Sequence, residues 1–439
     1  MVETLVQGGA SGRTPVAYFN ATARKDGHKH EGTTGEQPIS FLSSTAKVAP
    51  VDGPDGEQLR ALAIANHKLP DEKPSVLKEQ LTAEKWAEMI AYPWEPSTDI
   101  EYSPSPHWIL PALNSSDIPF YVSVGWYDYF ARSPLRWFAN LTVPKKVMIG
   151  PWTHSPTENE RYTDAHRIIT MVEQLRWFDY WLKDINNGIM DEPGLHYAVI
   201  DKDVNRWAWR AVDKLPDPLV KQHTFFFDEQ ENELILTTDK GKQEITASFT
   251  VDYTVTTGRH TRFYDGLGMG PLEYPEMSKL NSKGLFYTSA PLTKDIAVLG
   301  YPVIRLDLTS TAEDALISVY LEKVLSDGRS IFVTDGAMKA SRRVLKTPSY
   351  NNFGLPSHDG SKEVVEATPY LSSGIARIEL ALMPTGMVFE KGSRIRVAIT
   401  GADADNYIQT LITPPPDISI FGGGTHISSI TLPIIEDTS

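Results

Sequence analysis

The sequence predicts two fold classes in succession, an α/β region followed by an all-β sandwich or jelly roll. Two short, almost wholly apolar runs at 118–124 and 146–150 flank a helix-forming segment. Such runs are typical of strands that are buried on both faces of a parallel sheet. After about Pro193 the apolar residues alternate with polar ones, and glycine-rich turns punctuate the chain. Many short strands separated by such turns indicate a sandwich or a jelly roll.

The composition is that of a globular protein with two or three domains. The chain has 439 residues, a net charge of −14 and no cysteine. The charge argues against nucleic-acid and membrane-surface partners, and the lack of cysteine excludes disulfides and thiolate chemistry. There is no glycine-rich phosphate loop, so we expect no nucleotide or other cofactor. The residues that follow Met1 lack the pattern of a signal peptide, and the compartment stays open.

The elements before the first buried run are irregular and partly helical. Residues 1–55 are rich in Gly, Ser, Thr and Pro and are expected to form loops. Strong helix formers occupy 57–68 and 83–91, and Pro70 and Pro93 end these two helices.

The next elements form a strand–helix–strand unit. Strands are predicted at 118–124 and 146–150, and a helix at 133–140 lies between them. A longer helix is predicted over 165–186, ended by Asn187-Gly188. Its apolar residues recur every three or four positions, as in a stripe that packs against a core. They are Ile168, Val172, Leu175, Phe178 or Trp177, Leu182 and Ile185.

The period of two after Pro193 predicts a series of strands. They are 197–200, 225–227, 234–236, 286–288, 303–308, 316–321, 331–333, 375–382 and 395–399. We therefore divide the chain into a helical and irregular region (1–116), the α/β core (117–193) and the β domain (194–439).

A carboxylate and an imidazole follow the two buried strands of the α/β core. Asp128 comes shortly after the first strand and His154 shortly after the second. Functional groups collect at the carboxyl ends of parallel strands, so we expect these side chains to lie within reach of each other. A histidine that acts as a general base on serine needs a carboxylate on its other ring nitrogen. A lone aspartate or histidine is more often structural, so the residues alone leave both interpretations open.

Three segments resemble those of the cocaine esterase and X-prolyl dipeptidyl-peptidase family of serine hydrolases. They are VSVGWYDYF at 122–130, KVMIGPWTHS at 146–155 and LRWFDYWLKDINNGIMDEP at 175–193. The resemblance extends over residues 100–439 and includes VLSDGRS at 324–330 and SSITLPI at 428–434. It implies a partial α/β-hydrolase, made of the C-terminal half of the sheet with cap helices, followed by a jelly roll.

The resemblance also implies roles for individual residues. Asp128 becomes the triad acid and His154 the triad histidine, and the substrate would be a small ester, an acylated amine or an X-Pro peptide. No cofactor and no metal are implied. Phe130 could equally be a core residue. The residues expected to form the substrate pocket are Trp126, Tyr127, Phe130 and Trp152.

One part of the family pattern is missing. The family's nucleophile lies in a G-x-S-Y-x-G elbow that precedes the triad acid, and this sequence has none. The nearest match, around Ser11, lacks a preceding buried strand and a following helix, so we expect a loop there and not a nucleophile. The oxyanion-hole groups of the family's first half-sheet are also missing. We expect a truncated serine hydrolase.

Three alternatives accompany that expectation. The chain could be a non-catalytic binding or assembly protein built on the jelly roll, a separate N-terminal hydrolase segment could supply the serine, or the chain could form a homo-oligomer. An incomplete parallel sheet exposes an apolar edge, so residues 1–190 are expected to aggregate. His28-Lys29-His30-Glu31 is expected to be a solvated loop and not a metal site.

Overall fold

The computed structural model describes residues 6–7, 10–11, 110–154, 163–201, 206–262, 273–407, 409 and 411–436. The helices predicted at 57–68 and 83–91 lie outside these residues, as do the His28–Glu31 run and most of the predicted 1–116 region.

A short antiparallel hairpin lies near the N-terminus. Strand β1 (Val6–Gln7) pairs with β2 (Ala10–Ser11), and Val6 lies opposite Ser11. The loop predicted at Ser11 is therefore wrong, because this residue belongs to a short strand.

The predicted strand–helix–strand unit is confirmed. Its elements are β3 (Phe120–Gly125), α2 (Ser133–Asn140) and β4 (Lys145–Gly150). Helix α1 (Leu110–Asn114) precedes the unit and α3 (Thr163–Lys183) follows it. β3 and β4 are parallel neighbours, with Gly125 opposite Gly150. β3 begins only after Pro119, because a proline has no N–H to donate to the ladder. Pro134 suits the first turn of α2.

Helix α3 packs through Trp177, the predicted alternative to Phe178 in the stripe, and not through the stripe's aliphatic residues. Trp177 is 5% exposed, and its ring lies 5.4 Å from the ring of Tyr121 in β3. Leu175 and Leu182 of the aliphatic stripe are 59% and 74% exposed. A tryptophan side chain buries more apolar area than a leucine side chain, so Trp177 and not the leucines packs against β3.

After α3 the described chain is mostly strand, as predicted. The strands are β5 (Leu195–Ile200), β6 (Trp207–Val212), β7 (Lys221–Gln230), β8 (Glu233–Thr237), β9 (Ile245–Thr250), β10 (Leu285–Ser289), β11 (Ile296–Gly300), β12 (Val303–Ser310), β13 (Leu316–Val324), β14 (Ser330–Lys339), β15 (Ala376–Ala381), β16 (Thr385–Phe389), β17 (Arg394–Thr400), β18 (Asp417–Gly422) and β19 (Ser429–Ile435). Two short helices, α4 (Ser278–Asn281) and α5 (Lys362–Ala367), interrupt them. Each strand predicted after Pro193 is present, and β6, β9, β11, β16, β18 and β19 are additional.

Hydrogen bonding continues from the α/β part into the β part through β5. This strand pairs in parallel with β4 and antiparallel with β6, and it meets β16 at one parallel bridge, Ile200 with Met387. The ladder therefore crosses the boundary predicted near Pro193 without a break. The rest of the β part is antiparallel except for the β8–β10 pair, and β12 and β17 lie at its centre.

The core of the β part follows the period of two only in some of its strands. In β12, Ile304 and Leu306 are fully buried while Arg305 between them is exposed. Successive side chains on a strand point to opposite faces, so this alternation places the apolar face of β12 inside. In β17, Val397 and Ile399 and the intervening Ala398 are all buried, so this part of the strand is covered on both faces. Within the described residues, no helix combines the length and the apolar character that a membrane span needs.

Candidate functional site

The site is formed by two turns that leave the carboxyl ends of β3 and β4 side by side. Backbone hydrogen bonds join them, since the Trp126 N–H donates to the Gly150 carbonyl (2.8 Å) and the Tyr127 N–H to the Trp152 carbonyl (3.2 Å). The Asp128 N–H closes the first turn on the Gly125 carbonyl at 3.1 Å. The backbone therefore fixes the relative position of the two segments before any side chain contributes.

Glycine is required where each strand ends. A Cβ on Gly125 would lie 1.6 Å from the Trp152 carbonyl oxygen, and a Cβ on Gly150 would lie 2.2 Å from the Trp152 ring. Real Cβ contacts are never that short, so only glycine lets the two turns approach so closely. The G-W-Y-D and G-P-W-x-H segments thus contain their glycines for a packing reason.

Asp128 and His154 form a hydrogen-bonded pair. His154 Nδ1 and Asp128 Oδ2 are 3.1 Å apart, and the other carboxylate oxygen, Oδ1, accepts the Phe130 N–H at 2.7 Å. The Asp128 side chain is 3% exposed and that of His154 is 42% exposed. The expectation that adjacent strand ends bring these groups together is confirmed.

The pair alters the basicity of the imidazole. The hydrogen bond with Asp128 raises the pKa of His154 above its ordinary value, burial opposes this, and the negative charge of Asp128 adds to the increase. A carboxylate on Nδ1 favours the imidazolium and fixes which ring nitrogen carries the proton in the neutral form. His154 is thereby set up to exchange a proton at Nε2.

The four residues predicted to form the pocket separate into two groups. Trp126 and Trp152 are only 3% and 2% exposed. The Trp126 indole N–H donates to the Ala198 carbonyl at 2.6 Å, and the Trp152 ring lies beneath Gly150. Both indoles are interior packing groups, because the close approach of the two turns encloses them, and they do not line an open surface.

The other two predicted pocket residues are only partly buried. The Phe130 ring lies 5.4 Å from the His154 imidazole in an edge-on arrangement. Tyr127 is half-buried against the core. Phe130 is therefore the aromatic side chain that the structure places directly beside the imidazole.

Two further residues near the pair were missed by sequence reasoning. The His166 ring lies 4.8 Å from that of Trp152, and burial lowers the pKa of His166 against the opposing charge of Asp128. Arg262 donates from Nη1 to the Trp126 carbonyl at 3.1 Å, although 136 positions separate them. His166 lies on a predicted helix and carries no motif, and no local pattern marks Arg262. Among the described residues no three His, Asp or Glu side chains are grouped as metal ligands would be.

Comparison with known families shows which family this chain belongs to. The model of the X-Pro dipeptidyl-peptidase C-terminal non-catalytic domain matches residues 187–420, more than half of the chain. The chain belongs to the X-Pro dipeptidyl-peptidase family. A second model, X-Pro dipeptidyl-peptidase (S15 family), matches residues 27–156 of this family member. That match contains both Asp128 and His154.

Individual relatives agree with this family. The "Putative serine esterase" of Mycobacterium tuberculosis is 32% identical over 76% of this chain and 52% of its own length. The cocaine esterase of Rhodococcus sp. is 22% identical over 72% of the chain and 56% of its own length. The chain thus spans about half the length of these relatives. A CocE/NonD family hydrolase from Staphylococcus aureus shares the fold, with a TM-score of 0.56, 19% identity, and coverage of 72% of this chain and 54% of that one.

Proposed function

We propose that Asp128 and His154 are the acid and the base of a Ser–His–Asp triad in a serine hydrolase. The observation that carries this proposal is the 3.1 Å contact between Asp128 Oδ2 and His154 Nδ1 at the ends of two adjacent parallel strands. In such a triad the carboxylate holds Nδ1–H and leaves Nε2 directed at the serine hydroxyl. The chain order, acid before histidine, is that of α/β-hydrolases.

Each member of the pair has the environment that its role requires. The Phe130 N–H anchors Asp128 through Oδ1, so Oδ2 keeps its direction toward the imidazole. Asp128 is almost fully buried and little screened by water, which strengthens its interaction with an imidazolium. His154 is partly exposed, so a hydroxyl and a substrate can approach its free nitrogen.

The reaction would be acyl transfer to water. The serine hydroxyl gives its proton to Nε2 of His154 while its oxygen bonds to the ester or amide carbonyl carbon. The imidazolium then protonates the leaving alcohol or amine, whose bond to the carbonyl carbon breaks. Water repeats both steps on the acyl-enzyme and releases the acid. Among the described residues no serine hydroxyl hydrogen-bonds to His154, so we propose that polypeptide outside them supplies the serine.

The substrate class is proposed from the relatives and from the wall beside His154. The relatives are named as a serine esterase, Xaa-Pro dipeptidyl-peptidases and a cocaine esterase, so the candidates are a small ester, an acylated amine or an X-Pro peptide. The Phe130 edge offers an apolar surface 5.4 Å from the imidazole. We assign Phe130 and Tyr127 to the substrate pocket.

The β part would support this site. We propose that residues 194–439 form a jelly-roll domain that covers one side of the pocket. A second function, a non-catalytic binding or assembly module, is favoured by one observation: the family model over residues 187–420 describes a non-catalytic domain. The two functions differ in whether His154 is needed for hydrolysis.

A chimera tests the hydrolase proposal directly. The part of the Mycobacterium tuberculosis relative that this chain does not match would be fused ahead of the whole chain, because the hydrolase family match already begins at residue 27, and hydrolysis of p-nitrophenyl acetate and of alanyl-prolyl-p-nitroanilide would be measured. We expect esterase or peptidase activity that falls by about 10³-fold or more in His154→Ala and in Asp128→Asn. Activity that survives His154→Ala would refute the triad.

A fluorophosphonate probe locates the serine. We expect no labelling of this chain alone and labelling of the chimera at a serine outside residues 110–439. Modification of Ser11 in the unfused chain, dependent on His154, would place the nucleophile in β2 instead. Labelling that is indifferent to His154 would be non-specific, and the unfused His154→Ala protein is the control for it.

A further inference from the structure

A guanidinium is buried behind the turn that carries Asp128. Arg262 is 1% exposed, and its Nη1 donates to the Trp126 carbonyl at 3.1 Å. The N–H of the same Trp126 donates to the Gly150 carbonyl at 2.8 Å. The backbone two residues before Asp128 is therefore held on both sides, by β4 and by a side chain of the β part.

The charge of Arg262 is balanced by Asp335 of β14. Arg262 Nε and Asp335 Oδ1 lie 3.4 Å apart, and the Asp335 side chain is 6% exposed. The contact is an ion pair and not a linear hydrogen bond, because neither atom has a hydrogen-bond partner among the described residues. Arg262 also lies over the Phe332 ring, 5.9 Å from its centre. Outside the β part, Arg262 hydrogen-bonds to the Trp126 carbonyl.

The far end of the same segment is also attached to the β part. The Tyr301 hydroxyl donates to the Arg132 carbonyl at 2.7 Å, and Arg132 itself bonds to the Ala381 carbonyl and to Met383. Residues 126–132, which contain Asp128, are therefore fixed at both ends by groups of the β part. Arg262 is the attachment nearer to the carboxylate.

Stability alone does not explain a charge at this position. Burying an ion pair requires removing both charges from water, and well-packed apolar residues of the same volume are often at least as stable. A buried charge pair is better explained when it specifies a geometry that apolar packing would leave free. Here the specified element is the carbonyl of Trp126, which only a hydrogen-bond donor can hold.

We propose that Arg262, neutralised by Asp335, is a positioning residue that holds the turn 125–128 so that Asp128 Oδ2 meets His154 Nδ1. The inference deepens the proposed function and rests on it, because it concerns the same pair. It makes the β part a structural component of the site, and not only a wall beside it.

Histidine NMR on the full chain tests this positioning role without requiring hydrolysis. The test variant is Arg262→Met/Asp335→Asn, which removes both charges of the ion pair together. We expect the pKa of His154 to fall most of the way to its value in Asp128→Asn, and the downfield Nδ1–H signal to broaden or disappear.

The matched control is Arg377→Met, which removes a cation that pairs with Asp307 far along the chain. It should leave the titration of His154 unchanged whatever it does to the melting temperature. If the double variant does not fold, Arg262→Lys, which keeps the charge but loses the reach and the planar fork, should produce the same direction of shift. An unchanged His154 titration in a folded Arg262 variant would overturn the proposal.

The outcomes also separate this proposal from the proposed function. If Asp128→Asn itself leaves the titration of His154 unchanged, the pair and therefore the triad fail. If Asp128→Asn and the Arg262 variants shift it alike but the serine-bearing chimera is inactive, the positioning role stands and the hydrolase function fails.

Discussion

Gly125 and Gly150 lie directly opposite each other in the parallel pair β3–β4, and neither position has space for a Cβ. The atoms that occupy the space belong to one residue, Trp152, through its carbonyl at Gly125 and its ring at Gly150. The two glycines and the tryptophan thus act as one packing unit beneath Asp128 and His154. The geometry of the pair depends on that unit.

Gly150→Ala should therefore destabilise the protein. The new methyl group would lie 2.2 Å from the Trp152 ring, and overpacking of this kind costs about 1–3 kcal/mol. Urea denaturation followed by tryptophan fluorescence would measure the loss. Combining the change with Trp152→Leu provides the control, since the smaller side chain makes space. If the double variant loses as much unfolding free energy as the two single variants together, the contact between residue 150 and the Trp152 ring is not the cause of the loss.

Asp128→Asn should lower the pKa of His154. The hydrogen bond with Asp128 and its charge raise that pKa in the native protein, and an amide supplies no charge. His154 has a folded-state pKa above its unfolded value, so its contribution to stability is present at low pH and is lost as the pH rises through the folded pKa. Asp128→Asn should remove that component of the pH dependence. Titration of the His154 Cε1–H signal in the native protein and in Asp128→Asn measures the shift.

The strand ends of the site could be predicted from the sequence, because they depend on local patterns. The apolar runs at 118–124 and 146–150 coincide with β3 and β4, and parallel pairing of neighbouring strands then brings Asp128 beside His154. The position of Phe130, two residues after Asp128, was enough to suggest that its side chain lies near the pair. The supporting contacts could not be predicted in this way.

What the sequence could not provide are the contacts between distant segments. Arg262 meets Trp126 across 136 positions, and nothing in its neighbourhood marks it. The packing of α3 was predicted only in part, since the period left Phe178 and Trp177 as alternatives and wrongly placed Leu175 and Leu182 against the core. Strand β9 (Ile245–Thr250) was missed although its apolar and polar residues alternate, because it contains no run of apolar residues, and it pairs along its whole length with β18.

Asp335 should make the stability depend on pH in the direction opposite to that of an ordinary carboxylate. Burial raises the pKa of Asp335 to about 6, and the charge of Arg262 only partly opposes this. A folded-state pKa above the unfolded value means that the folded protein binds the proton more tightly. The contribution of Asp335 to stability should therefore fall by roughly 3 kcal/mol as the pH rises from about 4 to above 6.

Other carboxylates titrate in the same range, so the measurement compares the native protein with Asp335→Asn. The free energy of unfolding in urea would be determined for both at several values between pH 4 and pH 7.5. The difference between the two proteins should change across that range, with the native protein losing stability relative to the variant as the pH rises. If the free energies of unfolding of the two proteins change in parallel with pH, Asp335 does not titrate between pH 4 and pH 7.5.

The exposed side of α3 should make the chain associate. Leu175 and Leu182 are 59% and 74% exposed, and within the described residues β3, beneath the helix, pairs only with β4. Contiguous apolar surface next to an unpaired strand favours self-association. Leu175→Lys/Leu182→Lys should therefore increase the monomer fraction in analytical ultracentrifugation, while each change alters stability by only about 0.5 kcal/mol or less.

The opposite side of the same helix provides the contrast. Trp177 is 5% exposed against Tyr121, so Trp177→Ala should destabilise the protein by about 3–5 kcal/mol and should increase association by exposing more apolar surface. Limited proteolysis should then cut the lysine variant less readily before residue 190 than the alanine variant, and should leave the β part intact in both. If the native protein and the lysine variant associate equally, the surface responsible for self-association does not lie on α3.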